Sequence, residues 1–137
     1  MMLIEGYLDT HKRIAAQIDT ITRLAKNGIT SDNDTDIARE ISKLAGMVTI
    51  HLSSEDKFLY PEMLKSSNDD VRKLARDYQS EMNGLAGEFN IFRDKYNTRS
   101  GLAENKTNFA QEWTLIKEKL TKRVGREENE LYPKYKA

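Results

Sequence analysis

The sequence predicts an all-α protein that folds as one up-down-up-down antiparallel four-helix bundle. In four segments the apolar residues recur at alternating steps of three and four, which is the period of an amphipathic helix. The two prolines and three of the seven glycines fall near segment ends, a distribution that suits long helices. Short connections then place consecutive helices side by side in opposite directions. A chain of 137 residues is expected to form one domain, residues 1–137.

The first two predicted helices have clear boundaries. The apolar stripe of the first runs through residues 7–25, and Gly28 follows as a helix stop. The stripe of the second runs through residues 37–58, and this helix is expected to end at Pro61. The stretch SDNDTD before the second helix contains several residues of the types that cap helix N-termini.

The last two predicted helices follow the same pattern. The third carries its stripe through residues 71–96, with Ser67 or Asn68 as its N-cap. The fourth carries its stripe through residues 109–131 and is expected to end at Pro133. Three connections are therefore expected, at residues 28–34, 61–68 and 97–106.

Composition excludes several classes of function. Basic and acidic residues are equal at 22 each, whereas proteins that bind nucleic acid normally have a basic excess. No stretch approaches the roughly 18 apolar residues that a membrane span needs. The chain has no cysteine, so it has no disulfide, thiolate metal ligand or cysteine nucleophile. The N-terminal stretch lacks the pattern of a signal peptide, and a cytoplasmic location is expected.

Polar residues interrupt the apolar stripes of three helices. His11 lies on the stripe of the first helix, and His51 and Glu55, one turn apart, lie on that of the second. Arg123 and Glu127, also one turn apart, lie on that of the fourth. A charged residue in a bundle core is unfavourable unless it is paired or binds a metal. These five residues are therefore the candidate functional site.

Two of these stripes belong to matching segments, HLSSEDKFLYP and RVGREENELYP. When the two are aligned on Leu-Tyr-Pro, His51 corresponds to Arg123 and Glu55 to Glu127. The second and fourth helices of an up-down bundle run in the same direction, so matched positions should lie at one depth. Two carboxylates at one depth repel unless a proton, a cation or a metal lies between them.

These segments resemble the hemerythrin family, and in particular the bacterial HHE cation-binding domains. The resemblance covers nearly the whole chain, including H-x-x-x-E before the first Leu-Tyr-Pro and E-E before the second. It implies a bundle with two non-haem irons, one held by histidines of the first two helices and one by histidines of the last two. Two carboxylates bridge the irons in that family. The positions here that match family ligands are His11, His51, Glu55 and Glu127.

The remaining positions differ from the family pattern. Arg123 stands where the fourth helix of the family presents a histidine, and Met82 stands at the corresponding place on the third helix. Tyr78 lies one turn before Met82, and Glu81 lies beside the stripe. The resemblance therefore implies that the ligands of one iron are present and those of the other are replaced.

Three interpretations of the site follow. In the first, the histidines and carboxylates hold one Fe(II), Zn(II) or Mn(II) ion, with iron favoured, and Arg123 replaces the missing cation by bridging Glu55 and Glu127. In the second there is no metal, and Arg123 forms salt bridges with both carboxylates inside a structural or interaction bundle. In the third, two metals remain, with Tyr78 as a phenolate ligand and Glu81 as a substitute carboxylate.

The expected function is binding or sensing, not catalysis. The resemblance implies handling of iron, dioxygen or nitric oxide, and the composition predicts no nucleic acid and no membrane as partner. Four further residues are interpreted as lying outside the site. Tyr60 and Tyr132, each before a proline, are predicted to cap one end of the bundle, although the resembling family keeps such residues near its site. Glu128 and Glu130 are predicted to face solvent.

Overall fold

The computed structural model describes residues 2–136, and this part of the chain is all-α, with no strand. The all-α class is therefore confirmed, and each of the four periodic segments forms a long helix. Two short π-helical segments, named π1 and π2 here, interrupt the second and last of them. The elements in chain order are α1 (Met2–Leu24), α2 (Asp34–Ser54), π1 (Glu55–Leu59), α3 (Tyr60–Leu64), α4 (Asp69–Tyr96), α5 (Arg99–Glu104), α6 (Lys106–Arg126), π2 (Glu127–Leu131) and α7 (Tyr132–Lys136).

The helix ends follow local chemistry. The Asn68 side chain accepts hydrogen bonds from the backbone N–H groups of Asp70 and Val71, which confirms it as the cap of α4. After α1, Gly28 has a φ of 94°, a left-handed conformation that favours glycine. The predicted connection 97–106 is not simply a loop, because it contains α5. Thr98 starts that helix by accepting a hydrogen bond from the backbone N–H of Gly101.

The predicted helix ends at Pro61 and Pro133 are wrong. Proline lacks an N–H and its ring clashes with the carbonyl four residues earlier in a regular helix. Here the preceding turn is widened, so that the N–H of Tyr60 bonds the carbonyl of Glu55, five residues back. The N–H of Tyr132 does the same to the carbonyl of Glu127. The widened turns accommodate both prolines, and the chain continues as α3 and α7.

The π turn also changes which side chains are buried. Phe58, predicted to lie on the core stripe of the second helix, is 58% exposed. Leu59 and Tyr60 are fully buried instead. A π turn holds one residue more than an α turn, so it rotates the following side chains around the helix axis.

Two apolar clusters fill the core and lie on either side of the polar residues. One is built around Ile14, Val48 and Leu120, and the other around Tyr7 and Leu131. His11, His51 and Arg123 come between these positions on their own helices. The polar residues therefore form one layer across the core, with apolar packing above and below it.

Helices α1 and α2 run in opposite directions. His11, in the first half of α1, contacts His51 near the end of α2, and Gln17 donates to the carbonyl of Glu40 earlier in α2. The complete up-down-up-down arrangement of four helices stays a prediction. Among residues 2–136, no helix combines the length and the apolar character needed to cross a bilayer.

Candidate metal centre

The α-helices and π turns bring four of the predicted ligands to the polar layer. His11 lies on α1 and His51 on α2, while Glu55 and Glu127 are the first residues of π1 and π2. All four side chains are buried, with at most 5% of their surface exposed. Single π turns inside helices often occur at functional sites. Here both begin at the carboxylate, so Glu55 and Glu127 occupy equivalent places in the two matching segments.

Three donor atoms meet at the middle of this layer. Nε2 of His11 lies 2.8 Å from Oε1 of Glu127 and 3.1 Å from Nε2 of His51. Nε2 of His51 lies 3.2 Å from the same Oε1. Glu55 lies beside this triangle, with its Oε2 3.5 Å from Nε2 of His51. Of the described residues, His11, His51 and Glu127 form a group that could hold a metal ion.

A carboxylate next to the second ring nitrogen of His11 orients the ring. Nδ1 of His11 lies 2.8 Å from Oε2 of Glu128. A carboxylate only accepts hydrogen bonds, so Nδ1 carries the proton and donates it. In the neutral ring Nε2 then has a free lone pair that points at the other donors. Metal-binding histidines almost always have such a partner on their second nitrogen. Glu128 was predicted to face solvent, and although it is partly exposed, it takes this role.

Tyr132 lies between the two carboxylates. Its hydroxyl oxygen lies 2.8 Å from Oε2 of Glu55 and 3.0 Å from Oε1 of Glu127. The same oxygen is 3.2 Å from Nε2 of His11. The interpretation of Tyr132 as a cap at the bundle end is therefore wrong. Because π2 turns the following residues inward, this side chain enters the polar layer.

Burial and neighbouring groups give the two carboxyl groups opposite acidities. Burial, and then the charge of Glu127, raise the pKa of Glu55 well above its usual range. Burial opposes the ionisation of Glu127, but hydrogen bonds with His11 and His51 hold its pKa well below that range. Burial would lower the pKa of His11, yet its bonds to Glu127 and Glu128 raise it. With no metal bound, Glu127 is the anion of the centre, and His11 and Glu55 retain protons that a metal would displace.

Arg123 is buried next to the donor triangle. Its Nε donates to Oε2 of Glu127 at 2.9 Å, and its Nη2 donates to the Tyr60 hydroxyl at 2.6 Å. Its Nη1 donates to the backbone carbonyl of Tyr78 at 3.2 Å. The predicted bridge to both carboxylates is wrong, because in the described chain Arg123 forms no ion pair or hydrogen bond with Glu55. Tyr60 satisfies the guanidinium instead, so it is part of the site and not an end cap.

Comparison with known proteins identifies the family. The profile of the hemerythrin HHE cation binding domain matches residues 2–135, nearly the whole chain. The chain belongs to the hemerythrin HHE domain family. No curated protein and no solved structure shows significant similarity to it.

In this HHE domain the positions predicted for a second metal have other partners. Tyr78 donates its hydroxyl proton to Glu130 at 2.6 Å, and burial raises its pKa, which disfavours a phenolate. Glu81 is about half exposed and pairs with Arg126 at 2.6 Å. Met82 is buried in the cluster around Tyr7 and Leu131. None of these three side chains joins the triangle of donor atoms.

The donor triangle has the spacing expected of ligands around a metal ion. Adjacent ligands of a metal with bonds of roughly 2.0–2.2 Å lie about 2.8–3.1 Å apart when the bonds are at right angles. The observed separations of 2.8, 3.1 and 3.2 Å agree with this spacing. Two imidazole nitrogens and one carboxylate oxygen, all adjacent, are the donor set of many non-haem Fe(II) proteins. The crowding of these atoms also requires a proton or a cation between them, since lone pairs repel.

The helical period misplaced three residues of the site, Tyr60, Tyr132 and Glu128, and for the two tyrosines the family resemblance was the usable signal. The tyrosines follow π turns. An α-helical period that is continued across those turns places the two side chains on the wrong face of the helix. Glu128 is adjacent to Glu127 and projects from a different side of the helix. The E-E pair was a usable signal, because a carboxylate behind a histidine ligand is common at metal sites.

Proposed function

We propose that this HHE domain binds one non-haem iron ion and serves to bind or sense a small ligand, not to catalyse a reaction. His11, His51 and Glu127 would hold the ion, and Glu55 would complete the set. The observation that supports this most is the triangle of donor atoms, with sides of 2.8, 3.1 and 3.2 Å. We further propose that the long helices form an antiparallel four-helix bundle around it. A cytoplasmic location stays a prediction from the sequence.

Arg123 supports one ion instead of two. It brings a fixed positive charge to the side of the layer where the family has its second histidine pair. Its Nε is 2.9 Å from Oε2 of Glu127, the oxygen that would otherwise face a second metal. A second divalent cation there would be repelled by the guanidinium at short range. The arginine therefore neutralises the carboxylate that a second ion would bridge.

An internal cavity supports a small ligand. A space of about 20 Å³ borders His51, Arg123 and Glu127. Its other walls are apolar side chains of α1, α2, α4 and α6. That volume holds about one water molecule, so a ligand bound there is limited to a molecule of very few atoms. An iron with three or four protein ligands supplies an open coordination position for such a molecule.

The first experiment is elemental analysis of freshly purified protein, before any metal is added or removed. Protein loaded with Fe(II) should then retain about one equivalent after desalting, because its ligands are preformed. His51→Ala should abolish this retention. Gln17→Ala is the matched control, since Gln17 is a buried polar residue that bonds only Glu40 in the described chain. Stoichiometric retention by the His51→Ala protein would contradict the proposed ligand set.

A metal-free structural bundle is the second candidate. It is favoured by the Arg123–Glu127 pair and by the Arg123–Tyr60 hydrogen bond, which satisfy buried charges without a metal. In that case a chelator should leave the melting temperature of purified protein unchanged, because no metal is linked to folding. If the purified protein contains iron, the chelator should remove it and the melting temperature should fall.

A further inference from the structure

Helices α4 and α6 carry the same eight-residue pattern away from the metal centre. Residues 88–95 read EFNIFRDK and residues 112–119 read EWTLIKEK. Each stretch has, in order, an acidic, an aromatic, a polar, an aliphatic, an apolar, a basic, an acidic residue and a lysine. Burial repeats too, because the second and fifth residues of each stretch are buried and the fourth is exposed. The two helices therefore present equivalent side chains on one surface, named the α4/α6 face here.

The middle of the α4/α6 face is apolar. Ile91 is 72% exposed and Leu115 is 53% exposed, the fourth residue of each stretch. Both line a groove of about 240 Å³ between the two helices. A single exposed aliphatic residue is normal, whereas these two lie at equivalent places in one groove and form a small apolar patch.

Four charges mark the corners of this face. At one end Glu88 of α4 pairs with Lys119 of α6, and at the other Lys95 pairs with Glu112 at 2.7 Å. The pairing order shows that the two helices are antiparallel. Each helix therefore has an acidic residue at one end and a lysine at the other, and the signs alternate around the four corners.

We propose that the α4/α6 face is an interface for a second copy of this chain. A surface whose corner charges alternate in sign is complementary to itself. A two-fold axis in the plane of the face, along the helices or across them, places every acidic corner opposite a lysine of the other copy. It also places Ile91 and Leu115 against the apolar middle of the other copy. Closed two-fold dimers use one patch on both subunits in this way.

The face does not include the metal centre. Its corner and central residues lie on the outer sides of α4 and α6, whereas the donor atoms lie on α1, α2, π1 and π2. Dimer formation and iron binding are consequently independent. An experiment that contradicts one of the two proposals does not contradict the other.

Sedimentation equilibrium over a range of protein concentrations tests the dimer. The full chain should show a monomer–dimer equilibrium. Ile91→Lys should raise the dissociation constant by at least about tenfold, since it places a charge at the centre of the interface. Ile50→Lys is the matched control, because Ile50 is also 72% exposed but lies on α2, outside the α4/α6 face. The dimer of this variant should have the same dissociation constant as that of the unchanged chain. A chain that stays monomeric up to about 1 mM would overturn the proposal, as would an Ile91→Lys dimer of unchanged affinity.

Charge exchange provides a second test. One variant carries Glu88→Lys with Glu112→Lys and has four basic corners; the other carries Lys95→Glu with Lys119→Glu and has four acidic corners. Circular dichroism should show that both are folded, because surface ion pairs contribute little stability. Each variant alone should be monomeric, and an equimolar mixture should form heterodimers. A mixture of folded variants that stays monomeric would count against the self-complementary face.

Discussion

Arg123 and Glu127 form a buried ion pair one helical turn apart, with Nε of the arginine 2.9 Å from Oε2 of the glutamate. The other carboxylate oxygen, Oε1, lies 2.8 Å from Nε2 of His11. One oxygen of Glu127 therefore pairs with the arginine, which is always charged, and the other belongs to the donor triangle. This division allows the site to keep one face for a metal while the opposite face is closed by protein.

Removing Arg123 should destabilise the metal-free protein strongly. Arg123→Met removes the guanidinium that pairs with Oε2 of Glu127, and breaking such a buried pair lowers the free energy of unfolding by about 3–5 kcal/mol. Urea denaturation at neutral pH measures the change. Arg126→Met is the control, because Arg126 also lies over the Tyr78 ring but is 39% exposed and pairs with Glu81 at the surface. That variant should lose no more than about 1 kcal/mol, and equal losses in both variants would show that the buried pair has no special role.

Glu128→Gln should weaken metal binding without unfolding the protein. The amide oxygen can still accept from His11 Nδ1, but it carries no negative charge, so the ring becomes less basic and a weaker ligand. A loss of about 10- to 100-fold in iron affinity is expected from other histidine–carboxylate pairs. Competition with a coloured chelator measures it. Glu130→Gln in the same π turn should bind iron normally, because Glu130 accepts from Tyr78 and not from a ligand.

The metal-free protein should become less stable as pH rises above about 6.5, the ordinary pKa of histidine. The pKa values of His11 and Glu55 are both raised in the folded state. The folded protein therefore binds more protons than the unfolded chain, and its stabilisation disappears as pH rises through the folded-state pKa values. Each proton can change the free energy of unfolding by at most about 1.4 kcal/mol per pH unit. Thermal melts at several pH values measure this, and His11→Gln should reduce the slope. Stability that rises over this range would contradict the assigned protonation.

The apolar period of the sequence was enough to predict the long helices and to place His11, His51 and Glu127 on core-facing stripes, and the family resemblance implied that these three meet. Each of these side chains faces the core because residues one turn apart repeat on one face of a helix, a property of regular geometry. The period failed after Glu55, where a π turn moved burial from Phe58 to the next residue. Such a turn depends on how the proline and its neighbours pack against other helices, and no single stretch of sequence specifies that.

The replaced half of the site should be restorable. Arg123→His combined with Met82→His removes the buried cation and supplies the two histidines that the family resemblance implies for a second iron. Iron retained after desalting should rise from about one equivalent toward two, and the oxo-bridged visible absorption of the family should appear. Met82→His alone is the control, since Arg123 would still repel a second cation and the stoichiometry should stay near one. If the double variant, shown to be folded, also retains only one equivalent and has an unchanged spectrum, Arg123 does not stand in for a metal ion. The buried guanidinium would then be part of the scaffold alone, held by Tyr60 and Glu127.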